Sequence, residues 1–152
     1  MERYIVIIAG SKSDNDLVSL AVELLKKHDI PHKVYFISSH RNLDKLIKTV
    51  KKETEMGAGV FIAVAGLAAH LSGVIAACTN LPVIGVPKDA GSLGGIDALF
   101  SMVQMPKGVP VATMGIGKHG LYNSIIYALE ILSLYSNKWQ EKLVEVKNEF
   151  NK

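Results

Sequence analysis

Tyr4-Ile5-Val6-Ile7-Ile8-Ala9-Gly10-Ser11-Lys12-Ser13-Asp14 is the stretch on which the fold turns. Its first six residues are apolar with no polar alternation, the pattern of a strand covered on both faces, as in parallel sheets. The run stops at a glycine followed by hydroxyls and a carboxylate. Leu17, Leu20, Ala21, Leu24 and Leu25 then recur at helical spacing, and Lys26, Lys27 and His28 close the last turn, where cations suit the helix dipole. The loop 10–14 therefore joins a strand's carboxyl end to a helix's amino end, where free N–H groups and the dipole favour an anion. Ser13 with Asp16 three residues on has the spacing of a capping box, a purely structural use. Ser11 and Asp14 have the better claims to ligand contact.

The alternation continues down the chain. After Pro31, residues 33–37 read as a second strand that delivers Ser38-Ser39-His40-Arg41. Those four residues are either a solvated strand-to-helix turn, with a serine capping the next helix, or the floor of a binding site. Leu43, Leu46, Ile47 and Val50 mark a second helix with lysines on its outer face, ended by Gly57 and Gly59. Val60 to Val64 is a third buried strand, followed by Ala65-Gly66-Leu67-Ala68-Ala69-His70-Leu71-Ser72-Gly73. The helix running on through Cys78 and Thr79 has no polar face; it must be buried all round, which in a chain of 152 residues implies burial against other subunits. Residues 82–86 form a fourth strand, and 87–95 a glycine-rich loop of lid-like character. Residues 96–105 read as a helix stopped by Pro106, and 109–114 as a fifth strand with Pro110 near its start, where a missing N–H is tolerated. A glycine-rich turn at 115–120 precedes a helix over 121–135. A last amphipathic helix, from about 137 to 150, is expected to pack on a neighbour or on the domain's edge.

Five strands separated by helices describe an α/β domain over residues 1–152, an open parallel sheet with helices on both faces. Ligands of such sheets bind beyond the carboxyl ends of the strands, near the point where strand order reverses. That rule gathers Ser11 to Asp14, Ser38 to Arg41, Gly66 to His70 and the 87–95 loop at one site.

Composition narrows the chemistry. A net charge of +3 spread over scattered Lys and Arg leaves no nucleic-acid footprint and suits an acidic or phosphorylated small molecule. The single cysteine, Cys78, excludes an internal disulfide and any multi-thiolate metal site. The opening residues lack the features of a signal peptide, and no apolar run reaches the ~20 residues of a membrane span, so a cytoplasmic protein with no membrane partner is expected. The five histidines show no metal-ligand spacing, and His28 and His32, flanking a turn, are expected at the surface. Gly115-Ile116-Gly117 lacks the third glycine of a dinucleotide fingerprint and follows the last strand; no phosphate loop of the ATP-using type and no G-x-S-x-G elbow is present. What remains is an imidazole, His40, beside Arg41 and several hydroxyls, a set able to run general acid–base chemistry with neither metal nor cofactor.

These residues resemble a known family. Gly10-Ser11-Lys12-Ser13-Asp14, Ser38-Ser39-His40-Arg41, Ala68-Ala69-His70-Leu71, Pro82-Val83-Ile84-Gly85-Val86-Pro87, Ile96-Asp97-Ala98-Leu99 and the run from Val103 to Val111 are similar, in order and spacing, to the PurE family of purine biosynthesis. The resemblance covers about Tyr4 to Leu132, and Ala68-Ala69-His70-Leu71 resembles the mutase class rather than the carboxylase class. It implies a flavodoxin-like fold in a homo-octamer, with the small-residue helix near the centre. It implies that carboxyaminoimidazole ribonucleotide loses carbon dioxide from its exocyclic amine and is recarboxylated on ring carbon C4. The roles it implies are a general acid–base at His40, phosphate binding by Arg41, ribose-hydroxyl binding by Asp14, and further substrate contacts from Ser11, Ser13, Ser38, Gly66, Ala68, His70 and Leu71. Several positions depart from the pattern: Ser39 and Leu43 stand where the family has Ala and Pro, Leu67 where it has Gly, and Ser72 where it has Pro. Asn42 is still able to cap the helix. Leu67 and Ser39 keep open an enzyme acting on a related ribonucleotide, such as a pyridinium mononucleotide, and a non-catalytic nucleotide-binding protein is the remaining alternative.

Overall fold

The computed structural model describes residues 3–151. Five strands, β1 (Tyr4–Ala9), β2 (His32–Phe36), β3 (Ala58–Ala65), β4 (Val83–Pro87) and β5 (Ala112–Thr113), form one all-parallel sheet in the order β2-β1-β3-β4-β5. This is the doubly wound, flavodoxin-like order, and its reversal lies between β1 and β3. The helices are α1 (Asn15–Lys27), α2 (Leu43–Glu55), α3 (Leu71–Cys78), α4 (Ile96–Val103), α5 (Lys118–Ser133) and α6 (Asn137–Phe150), with a 3-10 turn over Lys12–Asp14.

The two-sided burial expected of the first strand is present, and it separates two cores. Ile5, Ile7 and Ala9 point with Val60, Ile62 and Val64 to a layer made by α1, α5 and α6; Val6 and Ile8 point with Phe61 and Ala63 to one made by α2, α3 and α4. All eight residues of β3 are buried. β2, at the sheet's edge, is only half-buried along its length.

Several boundaries differ from expectation for physical reasons. β5 keeps two residues of the expected six, because Pro110 offers no N–H and Gly108, at a φ of 89°, still turns the chain. Met114 N–H nevertheless donates to Gly85 C=O at 2.9 Å, extending the alignment with β4. α4 stops at Val103, ahead of Pro106. α5 begins at Lys118, inside the stretch expected to be a glycine-rich turn. Gly120 is essential to that start: a Cβ there would lie 1.6 Å from the carbonyl oxygen of Gly115.

Two expectations are corrected. The capping box at the first helix is not Ser13 with Asp16 but Ser11 with Asp14: Ser13 N–H donates to Ser11 Oγ at 3.3 Å and Ser11 N–H to Asp14 Oδ2 at 3.0 Å. The 3-10 turn brings the helical path forward and leaves Asp16 free for another partner. His28 and His32 are half-buried and hydrogen-bonded rather than freely exposed. The His28 side chain is 11% exposed, with Nε2 2.6 Å from Glu149 of α6, and His32 Nδ1 lies 2.7 Å from Ile30 C=O. Within one chain α3 turns Leu71, Ser72 and Ile75 inward and leaves Val74 and Ala76 half-buried and Ala77 exposed, the face for which burial against other copies is expected.

α6 lies against α5, with Trp139 and Val146 buried in the α1–α5 core and Lys27 and His28 holding Glu149. No helix among the described residues is long and apolar enough to cross a membrane.

Candidate active site

Each loop of the site leaves the carboxyl end of a strand. β1 delivers Gly10 to Asp14, β2 delivers Ser38 to Arg41, β3 delivers Gly66 to His70, and β4 delivers Lys88 and Ala90; together they enclose a cleft of about 360 Å³ at the sheet's reversal point. Ser11, Ser13, Asp14, Ser38, His40, Arg41, Gly66, Ala68, His70 and Leu71 all line it. A wider, shallower groove along α2, from His40 to Lys52, opens beside it and shares His40 and Arg41 with it.

His40 and His70, thirty residues apart, meet edge to face with ring centroids 4.9 Å apart, and His40 Nε2 lies 2.9 Å from His70 Nδ1. A contact between two ring nitrogens at that distance holds one proton, donated by one ring and accepted by the other. The pair is open to the cleft and able to pass a proton to a bound molecule. Ser38 plays both parts that the sequence allowed it. Its hydroxyl accepts from Arg41 N–H at 3.3 Å and its carbonyl from Asn42 N–H at 2.9 Å, which shapes the turn while the residue stays on the cleft wall. Asn42 occupies the cap position of α2 but makes no side-chain cap hydrogen bond, since Ser38 already serves the turn.

Asp14 is buried beneath the first loop, and its environment was not visible in the sequence. Lys88 reaches it across the cleft, Nζ to Oδ1 at 3.4 Å, and also donates to Asp16 Oδ1 at 2.9 Å and Ser13 C=O at 2.6 Å. Burial opposes the charge on Lys88, but the Asp16 and Asp14 carboxylates outweigh it and raise the ammonium's pKa; Lys88 in turn lowers that of Asp16. The signal that could have singled out Lys88 is its place: the first residue past the carboxyl end of β4, where the sheet's geometry puts ligand contacts.

No group of three or more His, Cys, Asp or Glu among the described residues is placed to hold a metal ion. The family model for AIR carboxylase matches residues 4–152. The chain belongs to the AIR carboxylase family. Relatives within it carry the name N5-carboxyaminoimidazole ribonucleotide mutase. That of Methanocaldococcus jannaschii is 47% identical over 148 residues, 97% of this chain and 90% of its own length. That of Escherichia coli K12 is 43% identical over 139 residues, 91% of this chain and 82% of its own. The crystal structure of Treponema denticola PurE shares the fold, with a TM-score of 0.82 at 23% identity over 97% of this chain and 91% of that one.

Against this AIR carboxylase background the departures acquire structural meaning. Leu67 adopts a φ of 57°, in the left-handed region where a glycine is at no disadvantage, and packs against Gly91, where an added Cβ would lie 2.7 Å from Leu67 Cδ2. It is 55% exposed and lines the rim of the cleft. Ser72 is fully buried, and its hydroxyl has no hydrogen-bond partner among the described residues.

Proposed function

We propose that this chain catalyses the reaction named for its relatives, conversion of N5-carboxyaminoimidazole ribonucleotide to 4-carboxy-5-aminoimidazole ribonucleotide in purine biosynthesis. The observation that carries the reading is the His40–His70 pair, 2.9 Å apart, opening into a cleft that also holds Arg41 and Asp14. In this reading Arg41 binds the phosphate, for which a guanidinium fork is suited. Asp14 accepts from the ribose hydroxyls. Ser11, Ser13, Ser38, Gly66, Ala68, His70 and Leu71 complete the wall.

His40 is the general acid and then the general base. It protonates the exocyclic nitrogen as the N–CO₂ bond breaks, leaving a neutral amine and carbon dioxide in the cleft. Ring carbon C4 then attacks the carbon dioxide, and the C4 proton passes to the now neutral imidazole. One proton leaves His40 and one returns, so the cycle closes without cofactor or metal. His70, hydrogen-bonded to His40, orients the ring and shares its proton. An enclosed pocket favours recapture over escape of carbon dioxide.

The assembly belongs to the same reading: a homo-octamer in the cytoplasm, with α3 covered by other copies. Leu67 supports a second reading, a related ribonucleotide as substrate, since its side chain occupies space at the cleft's rim that a glycine would leave open. The test is a spectrophotometric assay with N5-carboxyaminoimidazole ribonucleotide. Wild-type turnover, reduced by about 10³-fold or more in His40→Asn, is expected, an effect at the upper end of general acid–base catalysis. Absence of turnover by the wild type overturns the mutase reading, and an active His40→Asn removes the role given to His40.

A further inference from the structure

We infer that Lys88 is a positioning residue of the cleft, holding the Asp14 carboxylate in the orientation in which it receives two ligand hydroxyls. The inference rests on the ribonucleotide reading above for the ligand's chemistry; the geometry rests on Lys88 itself.

Lys88 is anchored at both ends. Its backbone N–H donates to Ala65 C=O at 2.9 Å, which fixes the residue at the end of β3 as well as β4. Its ammonium donates hydrogen bonds to Ser13 C=O at 2.6 Å and Asp16 Oδ1 at 2.9 Å and forms an ion pair with Asp14 Oδ1 at 3.4 Å. With its side chain 13% exposed and its charge met by two carboxylates, Lys88 is a strut between the first and fourth loops and not a spare cation for an incoming anion.

The consequence falls on Asp14. An ionised carboxylate offers about four acceptor positions, two on each oxygen. Ser11 N–H takes one on Oδ2 at 3.0 Å and Lys88 faces Oδ1. One position therefore remains on each oxygen, two acceptors side by side, which matches a pair of vicinal hydroxyls. Without Lys88 the carboxylate keeps a single partner and is free to rotate, and Asp14 and Asp16 present uncompensated negative charge to a phosphorylated ligand. A role confined to fold stability would show in thermal unfolding of Lys88→Met without the coupling to Asp14 in ligand binding that positioning requires.

A double-mutant cycle tests this without relying on turnover. The dissociation constant of ribose 5-phosphate, which carries the hydroxyls and phosphate of any ribonucleotide, is measured by calorimetry for the wild type, Lys88→Met, Asp14→Asn and the double variant, with thermal unfolding of each. Lys88→Met is expected to weaken binding about tenfold, within the range of coupling between residues in direct contact. Lys88→Met in the Asp14→Asn background is expected to add less than about threefold, the non-additivity of residues acting through one another. Lys88→Arg, which keeps the charge and the donors, restores most of the affinity. Unchanged binding in Lys88→Met, fully multiplicative effects in the double variant, or a wild type that does not hold ribose 5-phosphate overturns the inference. A non-additive cycle in a protein that fails to turn over carboxyaminoimidazole ribonucleotide upholds the role of Lys88 and brings down the mutase reading alone; turnover with a multiplicative cycle does the reverse.

Discussion

At the scale of single residues, Leu67 shows what a backbone angle costs and what a side chain does with the position. A leucine at a φ of 57° is disfavoured by about 1–2 kcal/mol relative to the right-handed region, and glycine escapes that penalty. Because Leu67 is 55% exposed, little apolar burial offsets it. Glycine's greater freedom in the unfolded chain returns roughly 0.5–1 kcal/mol of the gain. Leu67→Gly is therefore expected to leave stability unchanged or raise it by up to about 1 kcal/mol in denaturant unfolding, while widening the cleft's rim. A clear loss of stability would mean that the contact with Gly91 outweighs the strain. The residue identities at the cleft were legible in the sequence because strand ends announce them: Ser11, Asp14, His40, Arg41 and His70 each stand just past an apolar run. Their mutual geometry was not. The His40–His70 contact joins two loops from strands that are not neighbours in the sheet, and Lys88 joins two more, and neither pairing leaves a periodic trace.

At the scale of elements, the same contrast separates β1 from α2. Periodicity identified α2 and its lysine-covered outer face, but Glu53, in its last turn, is fully buried. It accepts from Lys33 Nζ, Tyr4 Oη and Tyr35 Oη, each at 2.7 Å, so three side chains of two neighbouring strands pin the end of the helix. A lone glutamate among lysines carries no mark of this in sequence, because the partners come from strands whose register is set by long-range pairing. Burial by itself would raise the Glu53 pKa, but the hydrogen bonds from Lys33, Tyr4 and Tyr35 prevail and the carboxyl is held below the ordinary glutamate value of 4.5. A group depressed in the folded state stabilises fully above its unfolded value, and that contribution disappears as pH falls through the folded one. Wild-type unfolding free energy is thus expected to drop below pH 4.5, and the Glu53→Gln variant, less stable at neutral pH by about 3 kcal/mol, to show a flatter acid limb. Parallel acid limbs in the two proteins would assign the acid sensitivity to other carboxylates. The strands β1 and β3 were legible almost residue by residue, since burial on both faces leaves no choice but an unbroken apolar run. β5 was overdrawn by the same logic, because Val109 and Val111 look strand-like while the prolines and Gly108 beside them deny the backbone its ladder.

At the scale of the whole molecule, α3 and α4 lie on the same side of the sheet and leave an apolar surface open. Val74 and Ala77 contribute from α3, and Ile96, Phe100 and Val103, each more than half exposed, form a stripe along α4. A surface of this kind marks association, and we assign it to contacts between copies of this chain in the proposed octamer. Light scattering coupled to size exclusion is expected to give an octameric mass for the wild type and smaller species for Val74→Asp and Phe100→Asp with unchanged circular dichroism. An octamer that survives both changes would move the interface elsewhere. The strand order also bears on the birth of the protein. β1 leaves the ribosome ahead of the other strands and α1 follows to cover one of its faces, yet its inner partner β3 comes only after β2 and α2 have been made. A run as apolar as Ile5 to Ala9 must therefore wait, unpaired on that side, through the synthesis of a third of the chain, so the step most exposed to misassembly is early in translation. The half-buried edge strand β2, arriving beside β1 in the meantime, is the first strand to pair with it.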